Sequence, residues 1–181
     1  MNRKHKGKHI TQAQTHYIVL DIETTGFNYP SANIIEICAK RYEDHQCTDI
    51  FKTLIKPQGT INDFITNLTG ITNAMVIDAP LPHEILPEFM NFIKDTPLIA
   101  HNANFDINFL YDTCMDVLGI PIANDFIDTL ALARSSVKDS KNHKLETLAR
   151  HFNLDTPNHR AEQDVDVTQA LYLILSEVQL V

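Results

Sequence analysis

The run YIVLDIETTGFN, from Tyr17 to Asn28, constrains this chain more than any other stretch. Tyr17, Ile18, Val19 and Leu20 suit a buried strand, yet that strand ends in two carboxylates, Asp21 and Glu23, followed by Thr24, Thr25 and Gly26. Side chains two apart on a strand project from the same face, so the two acids stand side by side. Burying them together as anions is costly unless cations compensate. Either the strand emerges into water at Asp21, or a divalent ion holds the pair, and oxygen ligands favour Mg²⁺ or Mn²⁺ over zinc. The Thr-Thr-Gly turn weighs toward the second reading, because hydroxyls and backbone N–H groups in such a turn can hold a phosphate or a sugar hydroxyl.

Two further polar clusters interrupt apolar sequence. In LIAHNANFDINFL a short strand delivers His101 and Asn102 to a turn, and Asp106 falls early in the next helix beside Phe105. Alone, an Asp there is accounted for by the helix dipole, but the polar run around Phe105 has the makeup of a cleft wall. In NHRAEQDVDVTQAL, His159 and Asp164 are five apart, about 140° on a helix, so both cannot share one helical face. His159 is therefore expected in the loop before the helix, facing Asp164 across a cleft. Asp164 lies in line with Thr168, Leu171 and Leu175, the inward row, whereas Asp166 is rotated by about 200° into solvent.

The 181 residues, 44% of them hydrophobic, fit one domain with a sizeable core. No apolar run is long enough to span a bilayer and the N-terminus has no secretion-signal pattern, so a cytoplasmic protein without membrane contact is expected. Cys38, Cys47 and Cys114 are widely spaced and read as reduced thiols. Although the net charge is −8, residues 1–20 carry four cations and no acid. Residues 1–15 are expected to be a basic, flexible arm, with residues 16–181 forming the domain. NIIEICAKRYED and CTDIFKTLIKP read as strands in an antiparallel meander; helices follow in INDFITNLTGITNAMVIDAP, joined at Thr69-Gly70, and in LPHEILPEFMNFIK. A helix with Phe105, Phe109, Leu110 and Val117 at helical spacing ends at Gly119. Strands in a meander, then strands alternating with helices, imply a mixed sheet flanked by helices.

Four fragments, D-I-E-T-T-G, H-N-A-N-F-D, F-I-D-T-L and H-R-A-E-Q-D, occur in the order seen in one family. From about Tyr17 to Leu175 the chain resembles the DEDDh, or DnaQ-like, 3′→5′ exonucleases, as found in the exonuclease domain of DNA polymerase III epsilon subunits. The resemblance implies an α/β, ribonuclease-H-like fold with a five-stranded mixed sheet, its first three strands antiparallel, and helices on both sides. It maps four metal-binding acids onto Asp21, Glu23, Asp106 and Asp164, which would hold two Mg²⁺ or Mn²⁺ ions, and the general base onto His159. Thr24, Thr25 and Gly26 would hold a terminal 3′-hydroxyl, while Leu68, Thr69, Gly70, Ile71 and Phe105 would contact the last sugar and base, with His101 and Asn102 beside them. The expected product is a nucleoside 5′-monophosphate. The implied partner is a nucleic acid with a free 3′ end, single-stranded and DNA by preference, with RNA trimming or an inactive binding module as alternatives.

Two departures are visible: Val165 stands where the family often has Ala, and Asn153, where Gly is frequent, must adopt a left-handed conformation. A basic stretch from Arg134 to Arg160, with Lys138, Lys141, Lys144 and Arg150 opposed by Asp139, Glu146 and Asp155, would guide a strand. A haloacid-dehalogenase-type phosphatase would need Asp where this chain has Glu23 and leaves His159 and Asp164 without a role. Because little chain follows the last helix, a stand-alone nuclease, or one recruited to a larger DNA-processing complex or related to a larger fusion, is expected.

Overall fold

The computed structural model describes residues 3–178. Strand β1 (His16–Thr24) is the middle strand of a five-stranded sheet of order β3-β2-β1-β4-β5. β2 (Ile34–Glu43) and β3 (Gln46–Leu54) continue β1 as an antiparallel meander, and the short strands β4 (Leu98–Ala100) and β5 (Phe126–Asp128) add in parallel. The helices are α1 (Asp63–Thr69), α2 (Asn73–Val76), α3 (Pro82–Ile93), α4 (Asn104–Leu118), α5 (Thr129–Ser136), α6 (Leu145–His151) and α7 (Ala161–Val178). The mixed sheet, its antiparallel first half and the ribonuclease-H-like arrangement are those expected.

The alternation of β1 divides the core in two. Ile18, Leu20 and Ile22 pack with Leu86, Phe89 and Ile93 of α3 and Ile107, Leu110 and Cys114 of α4. Tyr17 and Val19 point the other way, into a cluster with Leu132, Leu148, Val165, Leu171 and Leu175. Asp21 and Glu23 continue the second row and therefore face α7. Each of the large side chains buried here contributes about 1.5–3 kcal/mol, and this two-sided packing anchors β1 between the helices.

α1 ends at Gly70, whose left-handed φ of 72° closes the helix and turns the chain toward α2. Asn153, just after α6, takes φ 54° as required of it. Val117 departs from its expected inward place: it is exposed, and Leu118 packs against the core instead.

Of residues 1–15, expected to be a flexible arm, residues 3–10 lie against β5 and α4. The Ile10 N–H donates to the Phe126 carbonyl at 2.8 Å and the Phe126 N–H to the Lys8 carbonyl at 2.9 Å, extending the sheet beyond β5. Lys6 donates to Asn104 and Asn108, and Arg3 pairs with Asp112, all along one row of α4. Only glycine fits at position 7, because a Cβ there would lie 1.8 Å from the Asn124 carbonyl oxygen. Among the described residues no helix is long and apolar enough to cross a membrane.

Candidate active site

A cleft of about 330 Å³ opens at the C-terminal end of β1, lined by Asp21, Glu23, Asp106, His159 and Asp164 together with Thr24, Phe27, Leu68, Thr69, His101, Asn102 and Phe105. The five residues expected to carry the chemistry thus come from three separate stretches of the chain. β4 pairs only with Ile18 and Val19, so beyond it β1 lacks a strand neighbour on that side. The freed Ile22 N–H is taken up by Asp106 Oδ1 at 3.2 Å, which ties the first turn of α4 between Asp21 and Glu23. On the opposite side, Asp164 in the first turn of α7 accepts the Asn158 N–H at 3.1 Å, drawing the preceding loop inward. His159 lies in that loop with φ 57° and is exposed. Asp166 is exposed, as its facing required, and pairs with Lys40 at 2.6 Å.

The other residues fall into three groups. Leu68, Thr69, Asn102 and Phe105 line the cleft, with Phe105 packed on Phe109. Thr24, Thr25 and Gly26 form a braced turn: the Thr24 hydroxyl donates to the Gly26 carbonyl, and Thr25 exchanges two bonds with Asn33. Thr25 and Gly26 are absent from the cleft lining. Ile71 is a correction, since it is fully buried among Ile35, Ile61, Ile65 and Val76 and cannot touch a substrate; Gly70 is the exposed cap of α1.

His101 is a brace as much as a wall. Its Nε2 donates to the His143 carbonyl at 3.0 Å and its Nδ1 meets the Thr129 hydroxyl at 2.9 Å, while burial holds its pKa below the usual histidine value. Sequence reasoning gave Asp128 no role, yet its carboxylate receives the Asn102 N–H and caps α5, each at 3.0 Å. Asn102 has φ 64°. The motif F-I-D-T-L marked the position without disclosing that use. Adjoining the cleft, a groove of about 790 Å³ runs past Arg134, His143 and Lys144 toward His159, on the basic stretch singled out in the sequence.

The acids strain against one another. Burial, then the Asp106, Glu23 and Asp164 charges, raises the Asp21 carboxyl well above its ordinary value. Glu23 is pushed up to about 8 by burial and by Asp164, Glu36 and Asp106, and Asp106 to about 8, chiefly by burial. Burial likewise raises Asp164. Oxygen donors crowded where they resist ionisation suit hard divalent cations, which relieve the repulsion and favour the ionised forms. Ligand atoms of Glu23, His159 and Asp164 lie within 4.8 Å of one another, so part of the set is already gathered. The donors therefore fit Mg²⁺ or Mn²⁺.

This geometry predicts an inverted pH dependence for the metal-free protein. Because burial and the neighbouring acids push Glu23 up to about 8 in the folded chain, against an ordinary 4.5 when unfolded, its contribution to stability is fully present below about 4.5 and is lost as pH rises through about 8. Asp106 acts in the same direction, from 3.8 to about 8. In chelator, the melting temperature is expected to fall between pH 5.5 and pH 8, and saturating Mg²⁺ to flatten or reverse the trend. Thermal melts across that range with and without chelator check it; a metal-free protein more stable at pH 8 contradicts it.

Comparison with known proteins bears on the same residues. The RNase_T model, described as exonuclease, matches residues 18–172. Over 162 residues the chain is 43% identical to DNA polymerase III PolC-type of Caldanaerobacter subterraneus subsp. tengcongensis, covering 89% of this chain and 12% of that protein. With the corresponding protein of Clostridium perfringens the identity is 42% over 84% of this chain and 10% of the relative. The chain thus spans roughly a tenth of these relatives' length. Among solved structures, exonuclease X in complex with 5′ overhanging duplex DNA superposes with a TM-score of 0.72 at 24% identity, over 91% of this chain and 93% of that one. E. coli exonuclease I in complex with a dT13 oligonucleotide gives 0.80 at 17% identity, over 92% and 42%. The fold is theirs, and the match across 18–172 takes in every acid of the cleft and His159: the chain belongs to the RNase_T exonuclease family, of the DnaQ-like type.

Proposed function

We propose that the chain is a 3′→5′ exonuclease that removes nucleoside 5′-monophosphates one at a time from single-stranded ends, DNA by preference. The observation that carries this reading is the convergence of Asp21, Glu23, Asp106, Asp164 and His159 on one cleft that also presents apolar surface from Leu68 and Phe105. Asp21, Glu23, Asp106 and Asp164 would hold two Mg²⁺ or Mn²⁺ ions. When bound, such ions lower the pKa of water and offset charge on the phosphoryl oxygens. His159, exposed at the cleft edge, takes the proton from the attacking water, a task suited to an imidazole. Leu68 and Phe105 pack on the terminal sugar and base, and the Thr24 turn meets the 3′-hydroxyl. The upstream strand follows the groove past Arg134 and Lys144, where cations offset its phosphates within an acidic protein.

DNA is favoured because the 43% and 42% identical relatives are DNA polymerases. The same kinship supports work within, or recruited to, a larger DNA-processing assembly. RNA trimming is the second reading, since a 3′-exonuclease recognising a histone mRNA stem-loop shares the fold with a TM-score of 0.74. Matched end-labelled DNA and RNA strands, single- and double-stranded, with Mg²⁺ and Mn²⁺, decide between them. Single-stranded DNA with a free 3′-hydroxyl is expected to shorten stepwise, with 5′-monophosphates as the product. A 3′-phosphorylated strand is expected to resist; equal rates on both would remove the role of the Thr24 turn, and binding without shortening would remove the enzyme.

A further inference from the structure

Antiparallel pairing sets Glu36 of β2 directly opposite Glu23 of β1, so both side chains leave the sheet on the α7 face. Glu36 is a fifth carboxylate beside four acids, 1% exposed, and it does not line the cleft. Its bonds all go to the start of α7. Arg160 donates from Nη2 to Oε1 at 2.8 Å and from Nε to Oε2 at 3.2 Å, and the Ala161 N–H donates to Oε2 at 3.1 Å. Further along the same face of β2, past Cys38, Lys40 reaches Asp166 on α7 at 2.6 Å, and Lys52 on β3 reaches Glu162 at 2.5 Å. The meander and α7 are thus joined by a row of ion pairs, of which Glu36–Arg160 is the nearest to the cleft.

His159 sits inside this arrangement. On one flank Asn158 is bonded to Asp164, and on the other Arg160 is forked onto Glu36, so a residue at φ 57° is held from both sides. A left-handed backbone at a non-glycine residue persists only where its surroundings hold it. We propose that Glu36 and Arg160 are positioning residues of the exonuclease site: their two-pronged bond locks the His159 loop and Asp164, carried by α7, onto the end of β1 that carries Asp21 and Glu23. The inference rests on the exonuclease reading for its effect on rate, and on geometry alone for its effect on the ligand set. A planar guanidinium fork suits this task because it fixes orientation as well as distance, which an ammonium does not.

The rival role is simple charge balance for a buried carboxylate, and the two separate in a double-mutant cycle. Arg160→Met leaves Glu36 buried and unpaired and should lower the melting temperature; adding Glu36→Gln removes that charge and should restore it. Positioning predicts that activity does not return with stability. Arg160→Met and the double variant should both lose about 10- to 100-fold in kcat on single-stranded DNA, with KM little changed, and weaken Mn²⁺ binding by calorimetry by about tenfold or more. Arg160→Lys, which keeps the charge and loses the fork, should fold and still lose kcat. Wild-type kcat and Mn²⁺ affinity in Arg160→Lys, or recovery of both in the double variant, would overturn the proposal. A wild-type protein that binds Mn²⁺ yet releases no nucleotide would refute the exonuclease reading, and the clamp would then stand or fall on Mn²⁺ affinity in the same variants.

Discussion

Asp21→Ala and Asp164→Ala are each expected to abolish nucleotide release while the protein stays folded. Asp21 has Asp106, Glu23, Asp164 and Glu36 as carboxylate neighbours, and burial with their combined charge raises it well above its usual pKa. Ionising an acid so placed opposes folding of the metal-free chain, and bound cations would offset that opposition. The loss should exceed the ~10- to 100-fold typical of changes to groups that only support a metal ligand. Removing the carboxylate should also raise the melting temperature of the metal-free protein at pH 8, with the difference from wild type shrinking as pH falls toward the ordinary Asp value of 3.8, below which the wild-type acid becomes protonated in both states. Asp164→Ala should act likewise on activity, because Asp164 is buried and lines the cleft. Asp166→Ala is the control: two residues on, exposed and paired with Lys40, it should cost little. Rates on end-labelled DNA and melts in chelator measure all three. An essential Asp166 beside a dispensable Asp164 would mean that the facing of α7 is misassigned.

The difference between those two acids is legible in the sequence, because helical periodicity alone separates Asp164 from Asp166, and strand alternation alone puts Asp21 beside Glu23. Both rules act within one element. What the sequence does not disclose depends on contacts between elements. Ile71 reads as available beside the exposed Gly70, but Ile61, Ile65 and Val76 fold over it, and no periodic pattern spans that short helix-turn-helix segment. Val117 keeps helical spacing with Phe109 and Leu110, yet in the last turn of α4 it is Leu118 that packs against the core and Val117 is left in solvent. The docking of residues 3–10 needs Asn104, Asn108, Asp112 and Asp125 to meet Lys6, Arg3 and Lys8 across more than ninety residues of sequence. Glu36 is hidden for a similar reason. Its place opposite Glu23 is set by the register of β1 on β2, which turn geometry and packing fix jointly. The His159 loop lies in between: its position before α7 follows from spacing, whereas its left-handed backbone does not.

His159→Ala is expected to lose on the order of 10² to 10⁴ in rate, the range for a positioned general base. His159 is exposed, while the four acids lining the same cleft are half-buried or buried, so removing the imidazole takes away none of the carboxylates. If it serves only as the base, metal affinity should change little, residual activity should survive, and that activity should climb with pH as hydroxide replaces the missing proton acceptor. The geometry also leaves a competing role open to measurement, because a ring nitrogen of His159 lies within 4.8 Å of ligand atoms on Glu23 and Asp164. An imidazole that ligated an ion there would, when deleted, weaken Mn²⁺ binding and depress the rate at every pH, and added Mn²⁺ would restore part of it. A pH series for wild type and His159→Ala at saturating Mn²⁺, run beside calorimetric titrations, separates the two. Unchanged affinity with a steep, pH-dependent deficit assigns the proton transfer to His159; a large fall in affinity makes it a ligand, and an unchanged rate near neutral pH removes it from the chemistry.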